Sequence, residues 1–188
     1  MVPTAAGAAP VRTIGLTAQV ETVEGTVFGT FCGVGPGDTI TGSYTYTLDV
    51  RDTNPAKFVG DYVYSAPPYG ITLNLGEGIV RTDPNSTQFL IEIVDDLPAG
   101  DPPGSVPTDN YLLRSSINES IGCPHVNQIT WQLDDPTGKA LDSASLPPKA
   151  PKLAAWQSIF GLTLDGDPFG GFFRVRAHVT SVTTIKSN

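Results

Sequence analysis

Residues 39 to 50 alternate in a way that few folds accept. Ile40, Tyr44, Tyr46, Leu48 and Val50 fall on one side of an extended chain, and Thr39, Thr41, Ser43, Thr45, Thr47 and Asp49 on the other. A period of two, with β-branched and aromatic residues and Gly or Asp at both ends, specifies a strand with one buried and one wet face. A helix would need an apolar stripe of 3.6 period, which an unbroken alternation from Tyr44 to Val50 does not form.

The same pattern recurs along the chain. It predicts a strand over 13–23 that is broken or bulged between Gly25 and Gly29, a short strand over 27–32, and a turn from Gly33 to Asp38. After a loop from Val50 to Pro55, further strands are expected over 58–64, 70–75, 78–81, 88–94, 110–116, 128–133, 159–164 and 171–184. On the segment Ile129, Trp131, Leu133, the tryptophan shares the apolar face and belongs to the core. Two proline-rich stretches intervene, from Leu97 to Pro107 and from Ser145 to Pro151. The second leads into Leu153, Trp156, Gln157 and Phe160, whose spacing suits a short helical segment laid on the sheet. About ten short strands punctuated by Gly, Pro, Asp and Asn predict an all-β, single-domain antiparallel β-sandwich or jelly-roll-like fold. The domain is expected over 13–188, behind a disordered or extended tail over 1–12.

Composition narrows the partners. With 11 Lys and Arg against 19 Asp and Glu, the net charge is −8, so a phosphate backbone or an anionic membrane surface is repelled. No run of about 18 apolar residues occurs, and a membrane span is not expected. The opening Met-Val-Pro-Thr-Ala-Ala-Gly-Ala-Ala-Pro has neither a basic nor an apolar leader region. It reads as the small-residue remnant of a processed export signal, or else as a disordered tail on a cytoplasmic protein.

Cys32 and Cys123 lie 91 residues apart. Two thiols need histidine help to build a zinc site, and only His125 lies near Cys123, so a disulfide is favoured over a metal. Closing a loop of that length stabilises by about 4.5 kcal/mol in the chain-entropy view. The alternative is a pair of reduced thiols buried as small hydrophobes. Asn85-Ser86-Thr87 and Asn118-Glu119-Ser120 fit the N-glycosylation triplet.

Several stretches carry a resemblance. Asp38-Thr-Ile-Thr-Gly-Ser-Tyr-Thr-Tyr, Asp52-Thr-Asn-Pro, Gly60-Asp-Tyr and Gly70-Ile-Thr-Leu-Asn-Leu-Gly76 are joined by Asp134-Asp-Pro-Thr-Gly-Lys-Ala-Leu-Asp-Ser-Ala-Ser-Leu-Pro147 and the closing segment from Phe169 to Val182. Together they resemble exported bacterial β-rich proteins of unknown function, of the kind often carrying a PEP-CTERM sorting tail. The Pro-Glu-Pro motif of such a tail is not found in Thr184 to Asn188. The resemblance implies a secreted or cell-envelope protein and assigns no catalytic residue.

The chemistry of the side chains points to binding. Neither His125 nor His178 neighbours a Gly-x-Ser-x-Gly motif, and no phosphate-cradling glycine loop is present. Most carboxylates sit in turns, where they bind backbone N–H groups. Loop carboxylates also suit a structural calcium ion, with Asp165 and Asp167 as first candidates. Asp134 with Asp135, Asp95 and Asp96 with Asp101, and Asp49 with Asp52 and Asn54 follow.

On the last strand, Arg174, Arg176 and His178 alternate with core residues and present a strip suited to an acidic glycan or carboxylate, unless acidic neighbours pair with it. Tyr62, Tyr64 and Tyr69, near Pro67 and Pro68, are candidate stacking aromatics for sugars. The expected function is therefore a non-catalytic module that binds a glycan or surface protein, or takes part in surface assembly. A secreted carbohydrate-active enzyme and a polymerising structural subunit are the alternatives.

Overall fold

A computed structural model describes residues 10–25, 30–96, 108–157, 161–167 and 171–185. Eleven strands form one antiparallel sheet. In chain order they are β1 (Val11–Gly25), β2 (Thr39–Thr47), β3 (Val59–Tyr64), β4 (Gly70–Asn74), β5 (Ile79–Thr82) and β6 (Phe89–Val94). They continue with β7 (Asp109–Ser115), β8 (Asn118–Ile121), β9 (Gln128–Asp135), β10 (Leu162–Gly166) and β11 (Phe173–Ile185). The hydrogen-bonded order is β3-β6-β7-β9-β10-β11-β1-β2-β4-β5-β8, so the first and last strands pair near the middle.

The sheet folds over on itself. β2 and β7 are five steps apart in that order, about 24 Å in a flat sheet at the usual strand spacing. Yet the Tyr44 and Tyr111 hydroxyls are 3.0 Å apart, and the Tyr44 ring lies 6.0 Å from Trp131 of β9. Such contacts across the core make the sheet sandwich-like, with the alternating apolar side chains facing inward. Trp131, Tyr44, Tyr46 and Tyr111 are buried at its centre. Phe173 stacks on Phe31 at 4.3 Å. β1 shifts register against β11 between Thr17 and Ala18 and between Val20 and Thr22, and such bulges let a long strand bend.

Several boundaries differ from the expectation. β1 begins at Val11, inside the segment read as a tail, and residues 1–9 lie outside the described ones. No strand covers the described part of 27–32. Instead Phe31 bridges Val34 around Cys32 and Gly33, whose positive φ values of 51° and 72° close a two-residue turn. β2 ends at Thr47, leaving Leu48 and Val50 half-buried against the core.

β8 was not anticipated, because Asn-Glu-Ser-Ile has no apolar alternation. The helical segment is a single 3-10 turn over Leu153–Ala155. The expected loop over 97–107, Asp101, and the start of the strand over 159–164 with Phe160 lie wholly or partly outside the described residues.

Cys32 and Cys123 form a disulfide, tying the Phe31–Val34 turn to the end of β8. Gly78 packs against both sulfurs: a Cβ there would stand 2.7 Å from the Cys123 sulfur and 3.1 Å from that of Cys32. Asn118 is buried, and its amide donates to the carbonyls of Ser115 and Asn127 at 3.2 and 3.1 Å. This removes Asn118 from the glycosylation candidates.

Candidate functional site: the outer face of the last strand

Register builds the site. Leu162, Leu164, Phe173, Val175 and Ala177 point into the core, so the residues between them face out. Asp165 on β10 stands opposite Arg174 on β11, which stands opposite Glu24 on β1. One row along, Thr130 on β9, Thr163, Arg176 and Thr22 form a second line. Between the rows lies an open cleft of about 300 Å³, lined by Thr130, Thr163, Asp165, Arg174, Arg176 and Glu21 among others.

Both arginines of the cleft have acidic partners. Arg174 Nε donates to Asp165 Oδ1 at 2.6 Å, and this hydrogen bond, with the attraction of the same carboxylate, raises the arginine above its ordinary pKa. Arg176 Nε stands 4.0 Å from Glu24 Oε1. Of the two readings of this face, the one paired with acidic neighbours on adjacent strands holds for both arginines, and the surface is of mixed charge rather than a free cationic strip. His178 occupies the next row, opposite Gln19. It borders a separate cavity of about 320 Å³ walled by Trp131, Leu133, Leu153 and Trp156, not the arginine cleft.

An aromatic residue not singled out in the sequence completes the surface. Phe172 is 50% exposed, and the Arg174 guanidinium carbon lies 5.2 Å from its ring centroid, within cation–π range. Parity carried the signal: in Phe172-Phe173-Arg174, a buried Phe173 puts Phe172 and Arg174 on the same outward side.

The tyrosine set divides. Tyr62 and Tyr64 are buried, correcting their reading as stacking aromatics. Tyr62 donates to the Ala144 carbonyl at 2.9 Å and Tyr64 to that of Thr47 at 2.8 Å, and burial raises both phenols above their ordinary pKa. Apolar rings with tips anchored to backbone carbonyls are structural tyrosines. Tyr69 alone of the three keeps partial exposure. Its ring packs 5.1 Å from Tyr64 and walls a cleft of about 230 Å³ with Pro67, Pro68 and Arg81.

Several of the calcium candidates are engaged elsewhere, although one buried carboxylate oxygen of Asp95 has no hydrogen-bond partner. Asp165 is held by Arg174, and Asp167 accepts from the Asn127 amide at 2.7 Å. Asp52 Oδ1 accepts from the backbone N–H groups of Asn54 and Asp61. Buried Asp135 accepts from those of Thr137 and Lys139, and although burial opposes its charge, these bonds hold it below its ordinary pKa. Asp109 takes the N–H groups of Asp96, Ala140 and Leu141. Among the described residues, no group of three or more His, Cys, Asp or Glu is placed to hold a metal ion.

Compared with protein-family profiles, curated proteins and solved structures, the chain matches none. Among the described residues, no helix is long and apolar enough to cross a membrane.

Proposed function

We propose that the protein is an exported, non-catalytic binding module whose ligand is a glycan and whose contact surface is the outer face of β9, β10, β11 and β1. The observation that carries this reading is the Phe172, Arg174, Asp165 array beside the hydroxyl-edged cleft. A half-exposed ring offers an apolar face to the C–H side of a pyranose. A guanidinium locked to a carboxylate offers donors and acceptors in fixed directions to neighbouring sugar hydroxyls. Strands hold these groups in register, so little ordering is required on binding. Glu21, Glu24 and Asp165 outnumber the two guanidiniums, which favours an uncharged sugar over an acidic one. Export is supported by the disulfide, which persists in oxidising compartments.

Isothermal titration or affinity electrophoresis against neutral and uronate-containing polysaccharides tests the reading. Binding to a neutral polymer should fall at least tenfold in Arg174→Ala and in Phe172→Ala, both of which leave the core residues untouched. Binding that survives both substitutions eliminates this face. Release of reducing ends by the purified protein would establish an enzyme instead.

A further inference from the structure

A second outward surface lies on the other half of the sheet and shares no residue with the arginine cleft. One row across β11, β1, β2 and β4 reads Ser181, Thr17, Thr41, Asn74. The adjoining row reads Thr183, Gly15, Ser43, Thr72. In the third, Thr13 faces Thr45, and their hydroxyls are 3.3 Å apart. None of these positions carries a charge, in a chain with 11 basic and 19 acidic residues. Small polar groups thus repeat at about 4.8 Å across the strands and about 6.8 Å along them.

The field runs directly into the Tyr69 cleft, which shares Ser43, Thr45 and Thr72 with it. The cleft wall is rigid. Gly70, at φ +140°, packs so closely on Thr82 that a Cβ would stand 2.6 Å from that side chain. Thr82 Oγ1 accepts from the Ile71 N–H at 2.9 Å and lies 2.8 Å from Ser115 Oγ. On the far side Arg81 is neutralised by Glu119 at 2.7 Å.

We infer that this field and the Tyr69 cleft form a second contact surface, fitted to the flat face of an ordered, uncharged polysaccharide. Such a ligand presents hydroxyls at repeating intervals and no charge, matching the rows, while Tyr69 and Pro67 supply apolar contact for C–H groups. An anionic polymer would find no unpaired cation among the residues named. A folded protein partner normally docks around a buried apolar or aromatic centre; here the large exposed apolar side chains, Ile185 beside Gly15 and Val11 one row beyond Thr13, stand at the margin.

The test is adsorption of the full chain to microcrystalline cellulose and to chitin, read as depletion isotherms. Thr41→Glu with Thr183→Glu places charge at two exposed positions, and Tyr69→Ala removes the cleft aromatic. Both variants should adsorb at least tenfold more weakly than the parent and more weakly than Arg174→Ala, which leaves this field intact. Thermal unfolding of the glutamate variant, expected unchanged, separates loss of contact from loss of fold. The inference is overturned if the parent adsorbs to neither solid, if both variants adsorb normally, or if Arg174→Ala alone abolishes adsorption. It is also overturned if sedimentation shows a dimer of the parent that the glutamate variant lacks, which would make the field an interface between copies.

Discussion

From Phe172 through the first half of β11 the outward residues are aromatic or basic, with Arg174 and Arg176 facing carboxylates on β10 and β1. Between Ser181 and Ile185 they are hydroxyl-bearing or apolar, and their neighbours on β1 and β2 are threonine, serine and glycine. A period of two runs through both halves, with its phase changed at the register shift, and β1 flanks both while β10 flanks only the charged one. The layer beneath changes as well. Under the charged half, Phe173, Val175 and Ala177 are buried, whereas past the register shift at Thr17 and Ala18 the inward Val182 is only partly covered. A period of two therefore identifies a face, and the chemistry of that face comes from pairings set far away in the chain.

The sharpest way to break this contrast is to truncate what lies under each half. Phe173→Ala should cost about 3–5 kcal/mol, the usual range for a fully buried phenylalanine, because its ring is stacked on Phe31. Val182→Ala should cost about 1 kcal/mol or less, since few buried methyl groups are lost. Denaturant titration measures both. Equal losses would mean that the two halves are supported alike, and the comparison would fail.

The same contrast marks how far the residues could be read in advance. The strand over 39–47, the inward placement of Tyr44, Tyr46, Phe173, Val175 and Val179, and the core position of Trp131 follow from period-two alternation alone. Elimination among two cysteines and two histidines favoured a disulfide over a metal but left two reduced thiols open, and the structure joins the pair. Site chemistry was less legible, because Arg174 meets Asp165 through register and the alternation of either strand does not reveal its partner. The misreading of Tyr62 and Tyr64 was avoidable: they share parity with Gly60 and oppose Asp61, but the intervening Val63, itself 51% exposed, blurs the pattern. β8 lacked any signal, since its four residues are mostly polar and its place is set by pairing with β5.

Within the charged half, the two arginines should separate. Arg174 and Asp165 meet at 2.6 Å with side chains 35% and 23% exposed, so Arg174→Ala should cost about 1 kcal/mol, near the upper end for a partly exposed pair. Arg176 and Glu24 are 4.0 Å apart and about half exposed, and Arg176→Ala should cost at most a few tenths of a kcal/mol. Repeating the denaturation in high salt should narrow the gap, because the stronger Arg174–Asp165 attraction has more to lose to screening than the nearly spent Arg176–Glu24 pair. A larger loss from Arg176 would reverse the assignment of the anchoring arginine.

The smallest expected effect has the opposite sign and tests whether opposing charges explain the contrast at all. On β3 and β6, Asp61 stands directly across from Glu92, so like charges meet where β10 and β11 bring unlike ones together. Burial first, and the Asp61 carboxylate second, raise Glu92 above its ordinary pKa. The folded protein thus takes up this proton before the unfolded chain does. Repulsion is present at neutral pH and is relieved as pH falls through the folded value. Glu92→Gln, which keeps shape and hydrogen-bonding capacity, should therefore stabilise at pH 7 by about 0.5 kcal/mol, the scale of a half-exposed cross-strand pair. The gain should shrink toward zero near pH 4, about where an unperturbed glutamate is itself half protonated. Denaturant midpoints at the two pH values decide it. A gain that does not depend on pH would assign the effect to packing, and a loss at pH 7 would mean that Glu92 is held by a favourable partner despite the carboxylate opposite.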